Sequence, residues 1–178
     1  KGFSYFCHAN TGKIDRMPAA STLPYKIAQS VLVVIYTAAG QVLLLQRTQG
    51  DGQGGVFWQS VTGSKDHLDE PWHAVAVREV LEETGIDALA AGCHLHDWAL
   101  ENVYPIYPQW LHRYAPGTCM NTERVLGLEV PSYAQVTLNP REHTAFAWHA
   151  WREAADRCYA PSNAEAILHL PVFVPTLA

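Results

Sequence analysis

The sequence predicts an α+β or α/β sandwich, a sheet flanked by helices, and three observations lead there. Two β-rich runs stand close together, Ile27–Tyr36 and Gln41–Arg47. Between Glu70 and Thr84 the apolar period lengthens from that of a strand to that of a helix. Further strand-like runs then mix with helical stretches, a pattern of layered sheet and helix rather than of either alone. A chain of 178 residues suits one domain around a single core.

The elements follow in order. IAQSVLVVIY and QVLLLQR, joined by a short turn at Gly40, read as a strand pair with a buried face. GDGQGG at Gly50–Gly55 reads as a flexible loop, and FWQSVTG at Phe57–Gly63 as one strand ended by its glycine. From Glu70 to Thr84, Trp72, Val75, Ala76, Val80 and Leu81 recur at helical spacing. Pro71 just inside the start and Gly85 just past the end punctuate that helix. His94–Glu101, Trp110–Tyr114 and Glu123–Val130 read as strands, Ala147–Asp156 and Ser162–Leu170 as helices. Ser162 with Glu165 three residues on makes a capping box.

Composition excludes several classes. A net charge of −5 argues against a nucleic-acid or membrane-surface binder, which needs a basic face. An acidic protein receives an anionic ligand only through metal ions or a few well-placed cations. Cys7, Cys93, Cys119 and Cys158 show no paired spacing, so reduced thiols in a cytoplasmic protein are the expectation. His94 and His96 share a strand face, but a zinc site there needs further ligands. The apolar run Val31–Ala39 is too short to cross a bilayer. Residues 1–16 have no apolar segment of the signal-peptide kind, and Met17 is a candidate start.

The acidic helix poses the functional question. Glu79, Glu82 and Glu83 crowd one side with Arg78 beside them. Like charges at that spacing destabilise a helix by a few tenths of a kcal/mol per pair, roughly 0.2–0.5. Either water solvates the face or a cation neutralises it, and clustered carboxylates are hard oxygen ligands of the kind Mg²⁺ takes.

The stretch Gly63–Ile86, GSKDHLDEPWHAVAVREVLEETGI, resembles the signature of the Nudix hydrolases. Arg78, Glu79, Val80, Glu82, Glu83, Gly85 and Ile86 match it in register, with Glu70 at the required distance before Arg78. One residue more than the family pattern separates Gly63 from Glu70, and it falls in the loop SKDHLD. The resemblance implies a mixed central sheet with flanking helices, an α/β/α sandwich over residues 25–178 behind an extension of residues 1–24. It implies that Glu79 and Glu83 bind Mg²⁺, or Mn²⁺, with Glu82 helping, and that Arg78 orients the carboxylates.

FWQSVTGS (Phe57–Ser64), RYAPG (Arg113–Gly117), NTE (Asn121–Glu123) and EHTAFAW (Glu142–Trp148) are similar to the bacterial branch of that family that removes diphosphate from a pterin triphosphate in folate synthesis. On that likeness Glu142 comes from a separate loop to the metal or the attacking water; the plain alternative is a loop acid beside Arg141. Lys26 and Arg47 contact the phosphates, or serve solubility. Thr62 is a further candidate. Ser162 and Asn163 bind anion or pterin edges, or merely cap the last helix. Tyr104 and Tyr107 wall the ring, or belong to the core. The implied partner is a small molecule, a pterin or a nucleoside triphosphate, with neither nucleic acid nor membrane. The competing readings are a housecleaning nucleoside triphosphate pyrophosphatase and a non-catalytic, nucleotide-sensing domain. The second ordinarily lacks the glutamates that are present here.

Overall fold

The apolar run after Gln29 leaves no alternate position for water, the pattern of a strand covered on both faces. It forms β1 (Gln29–Tyr36), buried from Ser30 onward. A computed structural model describes residues 25–47, 56–132 and 134–177. The expected extension 1–24 and the glycine loop Gly50–Gly55 lie outside the described residues.

Gly40, at φ +75°, turns the chain into β2 (Gln41–Arg47). The two strands register at Tyr36–Val42 and then part. β1 takes β4 (Val61–Ser64) antiparallel on one side and β6 (Met120–Glu129) parallel on the other. β2 instead pairs with β3 (Trp58–Gln59) and β7 (His143–Ala150). β5 (His94–Pro105) lies beyond β6, giving the order β3-β2-β1-β6-β5. The mixed sheet is therefore two leaves hinged at one corner. The start of β1, the end of β2, the end of β4, the start of β6 and the start of β7 share the rim where the leaves diverge.

Helices cover both faces. α1 (Trp72–Thr84) sets Val75, Ala76 and Val80 against Val31, Val33, Ile35, Leu126 and Leu128. α2 (Trp151–Arg157) and α3 (Pro161–Leu168) close the other face over Leu32, Val34, Val42 and Leu44. Burying a Leu or Val side chain is worth about 1.5–3 kcal/mol. This is the expected α+β sandwich with a mixed central sheet.

Several local expectations are corrected. FWQSVTG is two strands, because the chain crosses from one leaf to the other at Ser60, whose buried N–H donates to Asn163 Oδ1 at 2.7 Å. Trp110–Tyr114 is not a strand. Pro108–Arg113 is a 3₁₀ segment, opened by a proline and closed by short-range bonds such as Trp110 N to Tyr107 O. The helix expected at Ala147 starts at Trp151, because β7 holds its ladder with β2 through Ala150. α3 begins one residue before Ser162 with Ala160 at its N-cap, so Ser162 and Glu165 form no capping box. A short helix, α4 (Leu170–Phe173), follows α3. Pro71 is the N-cap of α1 rather than its first residue, and Leu81 is 52% exposed instead of core.

Candidate active site

α1 ends in Gly85, whose φ of +68° lets its N–H bond Leu81 O. This helix carries the acids to the rim, and Arg78 organises them. The Arg78 guanidinium donates Nη1 to Glu79 Oε1 at 2.7 Å, Nε to Glu70 Oε1 at 3.2 Å and Nη2 to the Ser64 carbonyl at 2.9 Å. Glu82 stands exposed 3.6 Å from Nη1. Glu70 is buried, and its other oxygen accepts the Asp66 N–H at 2.7 Å, which ties down the enlarged loop. Burial works against the Arg78 charge, but the bonds to Glu70 and Glu79 outweigh it and hold the group above its ordinary value.

The Glu79 carboxylate lies against the backbone of Gly63, and a Cβ there would run into it. The glycine is thus required by close approach, and the enlarged loop keeps Gly63 beside the acids. Burial pushes the Glu79 carboxyl up to about 7; Arg78 pulls it back, while Glu83 and Glu82 add to the rise.

A second group arrives from the far side. The segment ahead of β7 docks on the end of α1 through Thr137 N to Thr84 O at 2.8 Å and Asn139 N to Glu83 O at 3.3 Å. Asn139 Nδ2 donates to Glu142 Oε1 at 2.9 Å. His143, at the start of β7, sets Nε2 3.0 Å from Glu83 Oε2, with the two residues 3% and 2% exposed. Burial pushes the Glu83 carboxyl up against the pull of His143. Among the described residues Glu83, Glu142 and His143 form a cluster whose ligand atoms lie within 4.8 Å of one another.

Cations stand at the same rim. Arg47 ends β2 opposite His143. The Lys26 backbone bridges to Tyr114, and its N–H bonds Arg113 O at 2.8 Å. Desolvation, then the charges of Arg113 and Arg47, lower the Lys26 pKa against the pull of Glu79 and Glu142. The remaining candidates have other partners. Thr62 Oγ1 accepts Gln59 Nε2 at 3.2 Å. Asn163 is engaged with Ser60. Tyr107 is exposed, edge-on to Trp110 at 5.3 Å. Tyr104 and Ser162 both hydrogen-bond Glu123. Sequence reasoning missed Glu123 and His143, because neither has a motif spacing and each acquires its partners through the fold.

The donors fit a divalent cation. Carboxylates of Glu79, Glu83 and Glu142 are hard oxygen ligands, Gly63 brings backbone up to Glu79, and the buried Nδ1 of His143 has no hydrogen-bond partner among the described residues. The unfavourable ionisation of Glu79 and Glu83 is what a bound cation would reverse. His94 and His96 do share a face, with rings 6.5 Å apart.

A mixed sheet between helices, with an Arg-braced glutamate helix at its rim, defines the Nudix class, and the NUDIX domain model matches residues 26–170. The chain belongs to the Nudix family and is a hydrolase of that type. It is 39% identical over 144 residues to the dihydroneopterin triphosphate diphosphatase of Escherichia coli K12, spanning 80% of this chain and 91% of that protein. The enzyme of the same name from Haemophilus influenzae is 37% identical over 146 residues, 82% of this chain and 88% of the relative. The solved structure of the E. coli dihydroneopterin triphosphate pyrophosphohydrolase superposes with a TM-score of 0.71 at 38% identity, covering 85% of this chain and 98% of that one.

Proposed function

We propose that this protein hydrolyses dihydroneopterin triphosphate to dihydroneopterin monophosphate and diphosphate, with Mg²⁺ as its metal and Mn²⁺ as a substitute, in the folate route of the cytoplasm. The observation that carries the reading is the array of Glu79 against Gly63, fixed by Arg78, facing Glu83, Glu142 and His143. The substrate rests on what the relatives are named for. The thiols of Cys93 and Cys158, neither in a disulfide among the described residues, support a reducing compartment. Among the described residues no helix is long and apolar enough to cross a membrane.

The chain's own groups divide the work. Glu79, Glu83 and Glu142 hold the cation, with Glu82 at the exposed margin. The cation, when bound, shields the phosphates and stabilises the departing diphosphate. Arg78 fixes the carboxylates, so little reorganisation accompanies reaction. Lys26 and Arg47 hold the polyphosphate. Glu142, beside Glu83 and His143, takes the proton of the attacking water as general base. Attack falls on the phosphorus nearest the carbon chain, and the bond from that phosphorus to the bridging oxygen breaks.

Reaction in ¹⁸O-labelled water tests this: label is expected in the monophosphate product. Label in diphosphate overturns the point of attack. Faster turnover of dATP than of the pterin triphosphate overturns the substrate in favour of a nucleoside triphosphate pyrophosphatase.

A further inference from the structure

One buried side chain of the rim, His143, has no part in the division of work, yet the sheet is distorted to deliver it. β7 alternates regularly against β2 from Ala150 back to Ala145. Leu43 and Leu45 pack on the α1 side of the sheet together with Trp148, so the even-numbered residues of β7 face that helix. His149 stands opposite Val42, which packs under α2, so the odd-numbered residues face away. Continued without interruption, that alternation would turn His143 away from α1 as well. The register instead shifts: Ala145 stands opposite Gln46 and His143 opposite Arg47, so two steps of β7 oppose one of β2. A bulge of this kind turns the side chain beyond it to the other face. It brings His143 Nε2 to 3.0 Å from Glu83 Oε2.

Docking does not require that contact. The backbone already fastens the segment ahead of β7 to α1, through Thr137 N to Thr84 O and Asn139 N to Glu83 O. Apolar side chains would join the two elements at lower cost than a carboxylate and an imidazole that are 2% and 3% exposed. Once ionised, the Glu83 carboxylate only accepts hydrogen bonds, so the ring nitrogen facing it carries a hydrogen. Nδ1 is buried without a hydrogen-bond partner among the described residues. A second ring hydrogen there would be an unmet buried donor, the costly kind. Nε2 is thus committed as the donor, and in that state it has no lone pair to give a metal. The ligand atoms of Glu83, Glu142 and His143 lie within 4.8 Å of one another, but Mg²⁺ takes oxygen ligands. A Lys or Arg in place of the imidazole would compete with the cation for the charge of Glu83. A neutral donor orders the carboxylate and leaves that charge available.

We propose that His143 is the positioning residue of the cation site: its Nε2–H holds one oxygen of Glu83 and sets the other toward the cation, and the ring itself does not bind the ion. The inference rests on the reading of Glu83 as a metal ligand and is independent of the substrate. Partners that hydrogen-bond a metal ligand from behind fix its orientation, and their loss lowers metal affinity about 10–100-fold.

Mn²⁺ titrated into the full metal-free chain, with the free ion followed by electron paramagnetic resonance, tests this, and the metal-free melting temperature of each variant reports its folding. His143→Leu, close in volume but without the donor, should raise the Mn²⁺ dissociation constant about tenfold or more. His143→Gln, whose amide N–H reaches the place of Nε2–H, should keep most of the affinity. His143→Asn, whose amide lies where Nδ1 does, should lose it, and decides the matter if the leucine variant fails to fold. In a Glu83→Gln background His143→Leu should add little, because the carboxylate through which His143 acts is gone. Unchanged affinity in the Leu and Asn variants marks a purely structural tie between β7 and α1 and overturns the assignment. A loss as large in the Glu83→Gln background as in the wild-type chain, without rescue by glutamine, makes His143 a ligand and overturns it too. No Mn²⁺ binding by the wild-type chain overturns both this inference and the metal reading. Affinities in the expected order, in a protein inert toward dihydroneopterin triphosphate, leave the positioning role standing and remove only the substrate.

Discussion

Glu83 and His143 sit 60 residues apart in sequence and 3.0 Å apart in space. Glu83→Gln keeps the volume and a hydrogen bond to the imidazole while removing the charge. Turnover should fall by about a hundredfold or more, the usual scale for lost transition-state charge stabilisation, with the metal-free melting temperature little changed. Near-normal kcat in a purified, folded variant would contradict the role. Glu79 gives a pH dependence. Its ordinary value of 4.5 rises to about 7 in the folded chain. The unfolded chain therefore releases this proton first as pH rises, so metal-free stability is full below about 4.5 and is lost through about 7. Glu83 and Glu123, also raised by burial, act in the same sense. Glu70 and Asp97 are lowered and act oppositely, but below the ordinary carboxylate range. A cation favours the ionised forms. The gap between melting temperatures with Mg²⁺ and with EDTA should widen as pH rises from the Glu79 ordinary value through its folded one; a gap constant with pH would count against Glu79 as a ligand.

At the scale of elements, the enlarged loop before α1 is pinned at Asp66 N by Glu70, while His67, Leu68 and Asp69 are exposed. Deleting Asp69 restores the family spacing without touching Gly63. Activity should stay within a few-fold of the parent, on the order of 1 kcal/mol in barrier; a large gain would mean that the longer loop misplaces Gly63. Continuous β-rich apolar runs made β1 and β2 legible from sequence, and helical periodicity made α1 legible, with Arg78, Glu79 and Glu83 as candidates on it. The β7–α2 boundary was not, because α2 starts without a side-chain cap and its aromatic and alanine content suits both states. Trp110–Tyr114 misled through its aromatic residues, which favour strands, while Pro108 decides the matter locally. Glu142 was reachable only by likeness to the family. His143 and Glu123 lie in the family-like segments EHTAFAW and NTE but were not singled out, since what makes them unusual is burial against distant partners.

At the scale of the molecule, the family match starts at residue 26 and Lys26 is already tied to Arg113 and Tyr114. A chain shortened to residues 25–178 should fold to the same melting temperature and keep its kcat/KM, read by thermal denaturation and diphosphate release. A collapse of either would mean that residues 1–24 complete the domain. The parting of β1 from β2 has a kinetic consequence. The hairpin between them fixes one corner, so the rim exists only after β1 has found β6, some ninety positions later along the sequence, and β7 has returned to β2. Pairings of such long range carry the loop-closure entropy that makes folding slow. A chain caught partway has the glutamates on its helix but neither Glu142 nor His143 across from them. On the proposed metal assignment, cation capture should report arrival at the finished topology, and half-folded chains should neither sequester the ion nor cleave phosphates out of turn.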